Sequence, residues 1–487
     1  MNEASEKQEK EQSSDQSAIS FSSVFDSNAE KFLKIVLSEI GPEEKLGKDF
    51  LGTQIVDKYS FADNLKYWRI YWSLGAFFRI IGLDGEGNWK CKINDSSLYS
   101  VCDRVIRKIY ELIKKRGTVI NDTLDKYLSA DDIHFAIRDF REIFEKGFKE
   151  YKAVLLTDLI NFKEISAAKI GKVEIGPVTD DFLNSLPETE GGSALLALAL
   201  AGSFRCRISK EKLLKDKDKY ALMSFCASGF HHDEEQSIIF DKAVDEFKIV
   251  FAYIYCAKFF FDNVKEKSAN IDAEQLKTTN FNEKPRGEQN YFIINKDDYK
   301  EIDTRFSQLR VTGHKWQIDK VILSDFEKRF RLKEFNELIE KYDNSQLVKK
   351  IRRSLDWFLK SYLDDEPNDF IISLFVSIEA LISLSSEAGR GYSNELAENA
   401  SLFIAFNAAD RYTWKTKFRT DYDLRNAILH AGERVPEKEI YALQQRLRIY
   451  FVWSFLGFLN ESQNLIKNYG LRLKEMRIYF DKRKLSG

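Results

Sequence analysis

Six prolines and 23 glycines are spread over 487 residues, and this shortage of helix breakers constrains the fold more than any other feature of the chain. Proline removes a helix hydrogen bond and glycine adds backbone freedom, so their scarcity favours long helices over many-turned β-architecture. The apolar pattern agrees. Phe32, Ile35, Val36 and Ile40 recur at helical spacing, as do Val105, Ile106, Ile109, Leu112 and Ile113. The segment Ile133 to Tyr151 repeats the pattern, and Ala243 to Val264 predicts a long apolar helix rich in Phe and Tyr. Strand-like stretches are short: Lys172–Ile175, Tyr291–Asn295 and Trp316–Leu323. Residues 280–290, ending FNEKPRGEQN, predict a loop. The expected class is mainly α, with a few short strands in the N-terminal part.

Four parts are expected along the chain. Residues 1–20 form a low-complexity Glu/Lys/Gln/Ser tail that reads as disordered. Residues 21–340 form a larger, mostly helical region of sensor or regulatory character. Residues 341–462 form a compact helical bundle of roughly 120 residues, and 463–487 a basic C-terminal segment. In the bundle, Gln346–Leu363 carries Ile351, Leu355, Leu359 and Leu363 on one face. The run Asp364 to Asp369, with Pro367, punctuates it before the almost wholly apolar Phe370–Leu384. Glu395–Tyr412 is expected as a third helix, DYDLRNAILHAGERVP as a fourth element, and Pro436 opens a last long helix to about Leu459. The final segment holds Lys467, Arg472, Lys474, Arg477, Lys482, Arg483 and Lys484 against Glu475 and Asp481, a local charge of +5.

Composition narrows the function classes. With 44% apolar and 14% aromatic residues the bulk of the chain can build real cores. A net charge of −2 excludes a globally basic nucleic-acid binder but not a local basic patch. Cys91, Cys102, Cys206, Cys226 and Cys256 are odd in number and widely spaced, which fits a reducing compartment better than a disulfide framework or zinc site. The N-terminus has no apolar signal core, and the longest apolar runs fall well short of the ~20 residues of a membrane span. A soluble, cytoplasmic protein without a membrane partner is expected.

Several residues invite a chemical reading. Gly41 to Asp49 fits G-x-x-x-x-G-K, but Asp49 stands where a magnesium-binding hydroxyl is needed, and Glu43 and Glu44 would repel phosphates. His231 and His232 precede Asp233, Glu234 and Glu235, yet adjacent helix side chains diverge by ~100° and no third ligand follows at helical spacing. A polar cap is the expected role there. His134 and His314 read as packing or surface residues. No metal site and no cofactor are expected.

His430 stands apart, in DYDLRNAILHAGE from Asp421 to Glu433. With Asp423 as an N-cap, Arg425 and Asn426 would occupy a first helical turn, where free N–H groups favour an anion. An arginine in that position would oppose the helix dipole. Asn426 and His430, four residues apart, share a helix face. Leu424 and Ile428 anchor the helix, and Gly432 stops it. The plain alternative is a surface helix whose histidine caps its own end.

This segment, with R-N-A-I-L-H inside it, resembles the signature of HEPN-superfamily domains and is closest to the Apea-like branch. The resemblance covers about 346 to 460. Phe370–Leu384, with Glu379 in S-I-E-A-L-I, is similar to the branch's second helix, and Leu396–Arg411 to its third. It implies a metal-independent endoribonuclease with Arg425 and His430 as the catalytic pair, Asn426 as the polar residue after the arginine, and Glu379 as a weaker carry-over. The chemistry is consistent. Cleaving RNA through its own 2′-hydroxyl needs a base, an acid for the leaving 5′-oxygen, and cationic donors for the phosphorane. One His430 does not readily serve as both acid and base, so a homodimer with a composite site is expected, as in HEPN relatives. Lys349, Lys350, Arg352 and Arg353 open the first bundle helix, and Lys349, Arg352 and Arg353 are candidates for substrate contact beside Glu379. The resemblance further implies a defence or growth-arrest effector, triggered by a ligand or protein acting through the N-terminal region. Two other readings stay open: a non-catalytic HEPN module binding RNA, a nucleotide-like ligand or a partner protein, and a helical scaffold in which Arg425 pairs with Asp421 or Asp423.

Overall fold

The computed structural model describes residues 26, 29–35, 37–38, 108–109, 111–118, 122–157, 159–162, 167–185, 215, 219–230, 238–263, 290–295, 302–306, 316–364, 366–384, 392–405, 407–432 and 435–485. The expected tail, the phosphate-loop near-match, His231, His232, His314 and most of the 280–290 loop lie outside them. The chain divides into two compact units. The first takes in residues 1–151, 227–242 and 295–297, and the second 152–226, 243–294 and 298–487. The architecture is mainly α.

In the first unit, helical turns bury Phe32, Leu33 and Leu37, and further on Ile109 and Ile113. Ile35, expected on the same face as Phe32, is 41% exposed. Helix α1 (Ala130–Gly147) opens on a reciprocal cap. The Ser129 N–H and hydroxyl donate to Asp132 Oδ2 at 2.8 and 2.7 Å, and the Asp132 N–H returns a bond to Ser129 Oγ at 3.3 Å. The helix expected to reach Tyr151 ends at Gly147, and strand β1 (Phe148–Thr157) follows without a break.

The second unit carries most of the sheet. Its strands are β1, β3 (Ala168–Ile170), β4 (Val173–Pro177), β5 (Ala221–Phe230), β6 (Asn290–Asn295) and β7 (Ile302–Phe306), in the order β3-β4-β5-β1-β6-β7. The pairs β3–β4, β4–β5 and β6–β7 are antiparallel. Strand β2 (Ile160–Phe162) pairs in parallel with β8 (Trp316–Ile318). Residues 153–156 of β1 are all buried. A run buried on both faces lacks the period-2 alternation that marks a strand in sequence. The stretch Trp316–Leu323 is a strand only to Ile318. Asp319 then caps α4 (Lys320–Lys328), accepting from the Ile322 N–H at 2.9 Å. Helix α2 (Asp180–Ser185) is short.

The long apolar helix is α3 (Ile238–Asn263). From Ile249 to Ala257 every residue of it is buried, in the core of the second unit. Tyr253 stacks on Phe335 at 4.5 Å, meets Phe455 edge-on at 6.3 Å and donates to the Phe330 carbonyl at 3.0 Å. Helix α5 (Leu332–Lys341) supplies Phe335 and clamps the β3–β4 hairpin: Asn336 accepts from the Gly171 N–H at 2.7 Å and donates to the Lys169 carbonyl at 2.9 Å. The boundary expected at 341 therefore does not divide the packing. The bundle shares one core with α3, α4 and α5.

The bundle consists of α6 (Gln346–Ser361), α7 (Pro367–Ile382), α8 (Tyr392–Ile404), α9 (Ala408–Ala431), α10 (Glu437–Asn464) and α11 (Leu473–Leu485). Ser345 caps α6, and Pro367 opens α7 in its first turn, where its missing N–H has no helix partner to lose. Gly457 of α10 has no side chain because Phe403 of α8 fills that space. The helix expected over Glu395–Tyr412 breaks after Ile404, where Asn407 caps a new one. The last long helix continues past Leu459 to Asn464, and the basic C-terminal segment folds as α11 with Met476 and Phe480 fully buried.

Candidate functional site

Helix α9 carries Arg425, Asn426 and His430, but it does not begin at Asp423. Its cap is Asn407, whose side chain accepts from the Asp410 N–H at 2.9 Å. Along it the hydroxyls of Thr413, Thr416 and Thr420 turn back and donate to carbonyls four residues before them. Arg425 consequently sits about five turns into the helix, and the first-turn anion argument does not hold. The dipole argument reverses: Arg425 and His430 lie toward the C-terminal end, where cations are favoured. The expected stop is present. Gly432 adopts φ 66°, a left-handed conformation that suits glycine, and its N–H bonds the Ala427 carbonyl.

Arg425 is half-buried and turned toward α7. Its Nη2 lies 3.1 Å from Glu379 Oε1, its Nη1 donates to Asn426 Oδ1 at 3.1 Å, and its guanidinium stands 5.3 Å over the Tyr422 ring. The contact with Glu379 is an ion pair without hydrogen-bond geometry, so Glu379 Oε1 and Arg425 Nε remain buried without a hydrogen-bond partner. Burial raises the Glu379 pKa, while the Arg425 charge and a hydrogen bond from the Tyr422 hydroxyl pull it back. Burial also raises the pKa of Tyr392, whose hydroxyl bonds Ser383 and which feels the charge of Glu379. Ser383 links on to α6, where Lys350 donates to its carbonyl. Burial, with the charge of Arg353 adding to it, pulls the Lys350 pKa down to about 8.

Arg425, Asn426 and Glu379 thus come together, joined by Tyr422 and Tyr392. The two tyrosines carry no signal in sequence beyond Tyr422 lying one helical turn before Arg425. His430 is exposed and makes no hydrogen bond, ion pair or ring contact among the described residues. Five residues on from Arg425, it projects about 140° around the helix and ~7.5 Å along it. Ile428 is buried and Leu424 half-buried, as expected of anchors.

The remaining candidates divide. Lys349 and Arg353 are exposed and have no carboxylate partner among the described residues. Arg352 is engaged: its Nη2 meets Glu246 at 2.8 Å and its Nε meets Asp343 at 2.6 Å, while Lys172 reaches Asp343 at 2.6 Å. Asp421, a possible mate for Arg425, is taken by Arg446 at 3.0 and 2.7 Å and by the Tyr450 hydroxyl at 3.0 Å. Asp423 is exposed, and His134 is a surface residue. Among the described residues no three of His, Cys, Asp and Glu gather as metal ligands would, and no helix is long and apolar enough to cross a membrane. Comparison with protein families, characterised proteins and solved structures finds no match to this chain.

Proposed function

We propose that this chain is a metal-independent endoribonuclease of HEPN type, acting as a homodimer with a composite active site. The observation that carries the reading is His430: an exposed imidazole with no hydrogen-bond or ion-pair partner among the described residues, held at the end of a helix whose preceding turn fixes a guanidinium. In the proposed reaction the 2′-oxygen attacks the adjacent phosphorus as a base takes its proton, and the bond to the 5′-oxygen breaks as an acid protonates it. The products are a 2′,3′-cyclic phosphate and a 5′-hydroxyl. One His430 serves as base and the partner copy's His430 as acid. Arg425 suits the charge on the phosphorane oxygens, with Asn426 holding it from one side and Glu379 from the other. The resemblance in sequence carries the wider role: a defence or growth-arrest effector in the cytoplasm, triggered by a ligand or protein through the N-terminal region.

The test is cleavage of RNA by parent and His430→Ala proteins, with end analysis of the products. The expected outcome is cyclic-phosphate ends for the parent, a rate loss of roughly 10²–10⁴-fold for His430→Ala, and full activity in EDTA. Equal rates for the two proteins would show that His430 is not catalytic.

One observation favours a second reading, a HEPN module that binds RNA or a nucleotide-like ligand without turnover. In a single copy Arg425 is turned toward Glu379 and makes no hydrogen bond with His430. RNA bound tightly by the parent without new product ends would support it.

A further inference from the structure

The C-terminal segment departs from the charge pairing seen over much of this molecule. Exposed cations elsewhere often have carboxylates close by: Lys34 with Glu30, Lys126 with Asp122 and Lys341 with Glu337. Between 467 and 482, Lys467, Arg472, Lys474, Arg477 and Lys482 are all exposed, and none has a carboxylate partner among the described residues. The two acids of this stretch are occupied. Glu475 accepts from the Arg472 backbone N–H at 3.1 Å, and Asp481 meets Lys484 at 3.5 Å. The cations are not on a loose tail. Phe480 packs against Phe403 at 5.3 Å and Phe458 at 5.6 Å, and Arg483 is tied to Glu461 at 2.9 Å. The backbone of α11 is therefore fixed and its polar face is presented outward.

Glu398 of α8 relates this face to the candidate site. One of its oxygens meets Lys415 of α9 at 2.6 Å, and the other lies 3.8 Å from Lys484 of α11. The C-terminal end of α11 is thereby held beside the first half of α9. From Lys415, α9 runs on past the exposed Lys417 and Arg419 to Arg425 and His430.

We propose that the exposed cations from Lys467 to Lys482, on α11 and the turn before it, form a docking surface for the phosphodiester backbone of single-stranded RNA, which they deliver along α9 toward His430. This rests on the RNA reading above. Unpaired, fixed cations meet a polyanion with counterion release and without first breaking ion pairs within the protein. An anionic membrane fits less well. A helix that lies on a membrane inserts an apolar face, whereas Met476, Tyr479 and Phe480 are buried in the bundle and Ile478 is the one exposed large apolar residue described on α11.

The experiment measures binding of a labelled single-stranded RNA oligonucleotide to the full chain at several salt concentrations. His430→Ala serves as the background, so that cleavage does not enter. Adding Arg472→Glu, Lys474→Glu and Arg477→Glu should weaken binding and make the log K against log salt slope shallower by about 2, the value for three phosphate contacts on a single strand. The corresponding triple glutamine variant should lose the same slope without added repulsion, and both must retain the parent's circular dichroism. An unchanged slope in the glutamine variant overturns the proposal. So does loss of binding to phosphatidylserine vesicles while RNA binding persists. Failure of the nuclease reading would show separately, as equal cleavage by parent and His430→Ala.

Discussion

Helix α9 supplies one member to each of two arginine–carboxylate pairs, at Asp421 and Arg425, and the pairs are built differently. Asp421 receives two hydrogen bonds from Arg446 and a third from Tyr450, at 2.7–3.0 Å. Glu379 meets Arg425 once, at 3.1 Å, and that pair leaves Arg425 Nε and Glu379 Oε1 without hydrogen bonds. The first pair uses its bonding capacity within the fold. The second retains a buried, unsatisfied donor and acceptor, an arrangement that lowers stability unless something else uses it. The contrast separates a fully bonded pair from one that leaves bonding capacity unused.

Three substitutions test this contrast, in descending order of expected effect on stability. Arg446→Ala strips the Asp421 carboxylate of its countercharge and should destabilise the fold by about 3 kcal/mol, read by denaturant unfolding. The comparison breaks if that variant is as stable as the parent. Arg425→Ala should cost less, about 1–2 kcal/mol at neutral pH, while abolishing most RNA cleavage. Its cost should also depend on pH. Burial already raises the Glu379 pKa and Arg425 opposes the rise, so without Arg425 it climbs further. The folded state then holds a proton that the unfolded state releases, and stability is lost as pH rises from the ordinary carboxylate value through the raised one. Unfolding at pH 4 and pH 7 should show the smaller deficit at pH 4. Tyr422→Phe should have the least effect, under about 1 kcal/mol. It keeps the ring beneath Arg425 but removes the hydrogen bond that lowers the Glu379 pKa, so the acidic limb of the cleavage profile should move to higher pH.

Much of this arrangement was legible in the sequence, and the failures have physical causes. Helix α6 announces itself by apolar periodicity, α3 and α7 by long apolar runs, α10 by Pro436 at its start, and the end of α9 by Gly432. Glu379 enters only through the resemblance of Phe370–Leu384 to a HEPN helix. The start of α9 is hidden in the sequence because Asp423 mimics a cap, while Asn407, the actual cap, lies in a segment whose spacing also suits a continuous helix. Strands β1, β2, β3, β5 and β7 carry no such signal, and β1 shows why: its central residues are buried on both faces. The engagement of Arg352 could not be read locally, since Glu246 lies 106 residues away in the chain. Local spacing reports which face a residue occupies, but not which distant charge meets it there.

The central claim is that cleavage needs His430 from two copies. It is tested most directly by mixing parent protein with increasing His430→Ala protein, allowing subunits to exchange, and measuring RNA cleavage at constant total protein. A composite site predicts activity proportional to the square of the parent fraction, because only parent–parent dimers hold both imidazoles. Activity directly proportional to the parent fraction would show that each copy works alone, and would contradict the account.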